Sequence, residues 1–201
     1  VDAILARKGR FHKCAIVDLD NTLWGGVIGD DGLEGIQIGE LGQGHAFTEF
    51  QTWLKELKNR GVMLAVCSKN DEANAKEPFL RHPEMVLKLD DFSAFVANWE
   101  DKASNIRRIQ KELNIGLDSM VFFDDNPFER NLVRTMLPEV EAPELPEDPA
   151  EYTAFARMQN LFDTNSYSDE DRVRTERYLA EKSRTELSAG IDNYDDYLKA
   201  L

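Results

Sequence analysis

Three short apolar runs in this chain each stop abruptly at a knot of polar residues. Cys14-Ala15-Ile16-Val17 ends at Asp18-Leu19-Asp20, Val62 to Cys67 ends at Ser68-Lys69-Asn70, and Met120 to Phe123 ends at Asp124-Asp125-Asn126. Apolar runs this short, with no polar alternation, are what strands buried on both faces of a parallel sheet require. Phe92 to Trp99 reads as a further strand region. Helical patterns fill the gaps. Phe47, Phe50, Trp53, Leu54 and Leu57 recur at helical spacing before Gly61, and Asn70 can cap a helix that carries Asp71 and Glu72 in its first turn. Asp101-Lys102 opens a helix marked by Ile106, Ile109 and Leu113, and Asn126-Pro127 supplies a cap and a first helical residue. Strand and helix in alternation imply right-handed crossovers and a parallel sheet covered on both sides, a Rossmann-like α/β three-layer sandwich. Catalytic groups then belong at the carboxyl ends of the strands.

Residues 1–149 are expected to form this catalytic core, with a compact flap of small strands at about 21–44, where glycines and the Asp30-Asp31-Gly32 turn signal are too frequent for a long helix. The Pro-rich segment from Pro138 to Pro149 reads as a return followed by a connector. Residues 150–201 are expected to be a helical extension packed on the core, with helices over Tyr152 to Phe162 and Glu170 to Leu187. The chain starts at Val1 and stops within a helical pattern, which suggests a domain cut from a longer polypeptide.

Composition narrows the partners. With 24 Lys and Arg against 38 Asp and Glu the formal charge is −14, so nucleic acid and anionic membrane surfaces are poor partners. No apolar run is long enough to span a bilayer and Val1 to Arg10 carries no signal-peptide core, so a soluble, cytoplasmic protein is expected. Two cysteines, Cys14 and Cys67, are too few for a disulfide scaffold.

Asp18 and Asp20 lie two apart at a strand end, with Thr22 two further on, and Asp124 and Asp125 end another strand at the same edge. Carboxylates that converge without a His or Cys cluster favour Mg²⁺ over zinc. Ser68 and Lys102, from two more strand-end loops, add a hydroxyl and a cation. This set suits phosphoryl transfer: an aspartate attacks phosphorus, cations offset the oxygen charge, and a second acid protonates the leaving oxygen. For Cys14 and Cys67 the plain alternative is a small buried hydrophobe, and for Cys14 that reading is preferred. His45 reads as a cap or surface residue, and Arg172, Arg174 and Arg177 as a solvated helix face.

These motifs resemble those of the haloacid dehalogenase superfamily: Asp18-Leu19-Asp20-Asn21-Thr22 the first, Ser68 the second, Lys102 the third and Asp124-Asp125 the fourth. The resemblance implies Asp18 as nucleophile and metal ligand, and Asp20 as general acid/base with its backbone carbonyl on Mg²⁺. It implies phosphate binding by Ser68 and Lys102, with Lys69 and Asn70 beside them, and a metal site completed by Asp124 and Asp125, Asp125 being favoured. Four longer stretches, residues 18–32, 65–71, 97–106 and 123–130, resemble the FkbH-type branch. That branch implies transfer of a glyceryl unit from 1,3-bisphosphoglycerate, with loss of phosphate, to the phosphopantetheine thiol of an acyl carrier protein in polyketide biosynthesis. An acyl phosphate is open to thiolate attack, which makes Cys67 the candidate acyl carrier on the enzyme. Neighbouring strand residues face opposite sides, so Cys67 and Ser68 share a pocket only where the strand twists or ends between them. Two other classes fit the same residues: an ordinary phosphatase acting on a small phosphometabolite or phosphoprotein with Cys67 inert, and a docking domain that keeps the fold without activity.

Overall fold

β1 (Cys14–Val17), β2 (Met63–Ser68), β3 (Phe92–Ala97) and β4 (Met120–Phe123) form one parallel sheet in the order β3-β2-β1-β4. The computed structural model describes residues 12–162. Every residue of β1, β2 and β4 is buried, which is why these strands carry no polar alternation. The helices are α1 (Ile28–Gly35), α2 (Gly44–Asn59), α3 (Glu72–Arg81), α4 (Lys102–Leu113), α5 (Pro127–Met136) and α6 (Tyr152–Gln159). The expected Rossmann-like α/β class is the fold observed.

Alternation along the strands divides the side chains between two faces. Ala15, Val17, Leu64, Val66, Val121 and Phe123 pack in one cluster with Phe47, Phe50, Trp53 and Leu54 of α2 and Tyr152 and Ala156 of α6. Their strand neighbours, Ile16, Ala65, Cys67 and Phe122, are buried too and lie outside that cluster, as are Ile106 and Ile109 of α4 and Val133 of α5. At roughly 25 cal/mol per Å² of apolar surface, each of these large side chains contributes about 1.5–3 kcal/mol on burial. The return segment runs beside β4, with Phe122 N–H donating to Glu141 C=O at 2.8 Å and Glu141 N–H to Met120 C=O at 3.1 Å.

Two local expectations are corrected. The stretch after β1 holds a short helix, α1, and two isolated bridges, Asp20 to Trp24 and Gly25 to Gln37, rather than small strands. Asp31 accepts from Val27 N–H at 2.7 Å while the backbone N–H groups of Asp30 and Asp31 donate back to Val27 C=O, so a helical turn closes on local bonds, and Gly32 at φ +67° bends it. The cap of α3 is Asp71, whose carboxylate accepts from Ala73 and Asn74 N–H, and not Asn70. Asn126 caps α5 as expected, with Pro127 in the first turn, and Asp101 caps α4. The second predicted C-terminal helix, over Glu170 to Leu187, and the arginines at 172, 174 and 177 lie outside the described residues. No helix among the described residues is long and apolar enough to cross a membrane.

Candidate active site

The sheet register decides which side chains meet. Val17 pairs with Val66 on one side and with Phe123 on the other, so Asp18 and Asp124 leave the sheet level with Cys67, which is still paired within β2. Lys102, the first residue of α4, reaches between them: its Nζ lies 2.6 Å from Asp18 Oδ1 and 2.6 Å from Asp124 Oδ2. Carboxylate oxygens of Asp18, Asp124 and Asp125 come within 4.8 Å of one another. Asp125 is held by Thr22, whose hydroxyl accepts from Asp125 N–H at 3.1 Å and donates to Asp125 Oδ1 at 3.3 Å. Arg130, buried on α5, donates to the carbonyls of Asp124 and Asp125 at 2.7 Å each and fixes the backbone of the acidic pair.

Charge sets the chemistry of this edge. Burial, and then the charge of Asp18, push the Asp124 carboxyl up to about 7 against the opposing pull of Lys102. The same two causes raise Asp125. Burial works against the charge on Lys102, but Asp18 and Asp124 outweigh it and raise the ammonium well above its usual range. Three clustered carboxylates against one ammonium leave excess negative charge in a mostly buried place, which is the condition a hard divalent cation with oxygen ligands relieves. The donor set therefore fits Mg²⁺.

Asp20 is on the same edge but its carboxylate stands outside that cluster. It accepts from Trp24 Nε1 and Ile28 N–H at 3.0 Å each, and from Asn70 Nδ2 at 2.8 Å. Burial raises its pKa against the pull of the Ile28 and Trp24 hydrogen bonds. Asn70, expected among the phosphate-binding residues, is thus a partner of Asp20. Lys69 is paired with Glu129 of α5 at 2.6 Å. Ser68 ends β2, buried, on the opposite strand face from Cys67.

Cys67 points to the side of Asp18, Asp124 and Lys102, its Sγ 3.7 Å from the Lys102 carbonyl. It is 0% exposed. Burial pushes its thiol up to about 12, and the nearby Lys102 charge does not offset that. Cys14 is buried in β1. Sequence alone gives Thr22, Arg130 and Glu129 no role. Thr22 follows the Asp18/Asp20 period and Arg130 closes the 123–130 stretch, so both stand inside the motifs without a partner to define them.

The fold and this edge together define an α/β protein of Rossmann-like architecture with a carboxylate cluster at the carboxyl edge of its sheet. No protein-family model and no curated protein matches the sequence. Among solved structures the chain is similar to the N-terminal part of a Bacteroides fragilis protein, described as containing a phosphatase domain and complexed with Mg. The two share 66% identity over 83% of this chain and 44% of that one, with a TM-score of 0.78. This chain therefore spans less than half the length of that relative. A Clostridium difficile protein shares 12% identity over 69% of this chain and 86% of that one, with a TM-score of 0.53, and supports the fold.

Proposed function

We propose that this chain is a Mg²⁺-dependent phosphatase domain that works through Asp18. The observation that carries the reading is the convergence of Asp18, Asp124 and Asp125 within 4.8 Å, with Lys102 clamped between the first two. The Mg-bound phosphatase domain of the 66% identical relative supports it. Asp18, Asp125 and Asp124 would hold the ion, and Asp125, fixed by Thr22, is the better placed of the acidic pair, since both oxygens of Asp124 already accept hydrogen bonds from Lys102 and Asn126. When bound, the cation offsets charge on the phosphoryl oxygens and lets a dianion approach the carboxylates.

This chain's own groups account for the remaining steps. An Asp18 oxygen attacks phosphorus, so that the new P–O bond forms as the bond to the leaving oxygen breaks. Asp20, with its raised pKa, gives that oxygen a proton and afterwards takes one from the water that hydrolyses the aspartyl phosphate. Lys102, beside Asp18, would offset charge on the transferred group, and Ser68 at the end of β2 would bind it as the motif resemblance implies. Asp18→Asn should lower phosphate release by at least about a thousandfold, because an amide is a poor nucleophile. Phosphate release at the wild-type rate from that variant, with Mg²⁺ present, would overturn the assignment.

The FkbH-type motifs carry a finer reading, in which this phosphatase serves glyceryl transfer from 1,3-bisphosphoglycerate to an acyl carrier protein. What supports it here is the position of Cys67 on the same sheet face as Asp18 and Asp124. The Cys67 thiolate would attack the acyl carbonyl, forming a C–S bond as the acyl C–O bond breaks and phosphate leaves with the electron pair, and the carrier's thiolate would then take the acyl group and release the Cys67 thiolate. Access needs movement of Lys102 and α4, since the thiol is sealed. Intact-mass measurement after mixing enzyme, bisphosphoglycerate and carrier tests this: a glyceryl adduct on the carrier, lost in Cys67→Ala, is expected. Free phosphate without an adduct leaves only the phosphatase.

A further inference from the structure

Next to Asp125 lies a half-open cavity of about 470 Å³, within the range that small-molecule sites occupy. Its walls come from separate parts of the chain: Asn21 and Gly25 after β1, Gln37 and Gln43 before and at the start of α2, and Glu147 and Tyr152 from the return segment and α6. The wall is preformed. Gly25 and Gln37 exchange both backbone hydrogen bonds at 2.9 and 2.8 Å, and a Cβ on Gly25 would lie 2.9 Å from the Phe47 ring. The Tyr152 hydroxyl donates to Asn21 C=O at 3.3 Å and ties α6 to the turn.

The composition of that wall is selective. Among the described residues none of those lining it is Lys, Arg or His, and the charged groups are the carboxylates of Asp125 and Glu147. A second phosphate or a free carboxylate held there would lose part of its hydration with no cation in the lining and stand against two acids. Hydroxyl and amide groups would meet the amides of Gln37, Gln43 and Asn21, which both donate and accept. Asp125 belongs to both the carboxylate cluster and the cavity wall, so the cavity adjoins the place where a phosphoryl group on Asp18 would sit.

We propose that this cavity receives the organic part of the phosphorylated substrate and selects a neutral, hydroxyl- or amide-bearing leaving group over one with an anionic charge of its own. The inference rests on the phosphatase reading and adds a substrate class to it. A glyceryl unit held as an ester or thioester belongs to that class, and a free glycerate does not.

Glycerol 3-phosphate and 3-phosphoglycerate differ in a CH₂OH against a carboxylate, so their kcat/KM ratio measures this selection directly, with p-nitrophenyl phosphate as a general phosphatase probe. The neutral substrate is expected to be favoured by at least about tenfold. Glu147→Lys and Gln43→Lys, from two different walls, should each shift the ratio toward 3-phosphoglycerate by about tenfold, so misfolding of one variant leaves the other to decide. Equal or faster turnover of 3-phosphoglycerate by wild type, a ratio that moves in neither variant, or turnover of p-nitrophenyl phosphate without glycerol 3-phosphate would overturn the inference and leave the phosphatase standing. Phosphate release from none of the three would overturn the phosphatase reading and this inference together.

Discussion

Lys102 is 3% exposed and holds Asp18 and Asp124 apart, each 2.6 Å from its Nζ, so its loss would leave two buried carboxylates facing each other. Breaking such an arrangement by removing one partner costs about 3–5 kcal/mol. Lys102→Met is expected to lower stability in urea by that amount, and saturating Mg²⁺ should restore part of it by supplying the missing positive charge. An unchanged urea midpoint would mean the pair is not what stabilises this edge. For Cys67 the expectation concerns reactivity. With its pKa pushed up to about 12, roughly one thiol in ten thousand is ionised at pH 8, and none of its surface is exposed. A thiol reagent such as DTNB should therefore label native protein far more slowly than unfolded protein, and rapid native labelling would show that the thiol is open to acyl transfer without rearrangement. Asp18 and Asp124 are legible in sequence because their type and strand-end positions already limit what they can do, whereas Lys102 on spacing alone reads as a helix-surface lysine and gains a role only from the motif resemblance. The partner of Asn70 is not legible, because a cap and a site residue one position apart look alike until the backbone turn shows that Asp71 takes the cap and Asn70 turns to Asp20.

Between elements, the contact that no motif announces is the clamp on Asp91, at the end of the short turn before β3. Its carboxylate accepts from Lys55 and Lys58, one turn apart on α2, at 2.6 and 2.7 Å, and from Lys88 N–H at 2.8 Å. Burial alone would raise its pKa, but the bonds from the two lysines and the backbone outweigh that and hold it below the usual carboxylate range. The folded value is thus lower than the unfolded one, near 3.9, so the clamp stabilises fully above about pH 4 and is lost as pH falls through the folded value. Asp91→Ala should cost about 1–3 kcal/mol, toward the lower end because both lysines are about one-third exposed. The difference between wild type and variant should shrink below pH 4, and a gap that stayed constant in acid would remove the electrostatic explanation. Sequence can place α2 from the spacing of Phe47 to Leu57. It cannot pair Lys55 with an acid 36 residues away, since nothing in a solvated-looking lysine marks its partner.

At the scale of the molecule, the sheet order β3-β2-β1-β4 brings Asp18 and Asp124 together by making β1 and β4 neighbours, although more than 100 residues lie between them. That adjacency is readable in sequence only as a class rule, that parallel strands point their carboxyl ends the same way, and the register then makes it specific. It also makes cation binding a property of the folded chain alone, because the unfolded chain does not hold these carboxylates together. A ligand that binds only the folded state stabilises it by RT ln(1 + [L]/Kd), about 2.7 kcal/mol at a hundredfold excess over Kd. For a domain of this size that corresponds to a rise in Tm of about 5–10 °C. A formal charge of −14 complicates the measurement, since any salt screens the self-repulsion of so acidic a chain. NaCl at matched ionic strength separates the two effects: site binding requires that MgCl₂ raise Tm well beyond NaCl. Asp125→Asn, which removes one of the converging carboxylates, should lose most of that difference while keeping the response to NaCl. If the two salts raise Tm equally, or if the variant responds to Mg²⁺ as wild type does, the carboxylates gathered by this sheet are not a cation site.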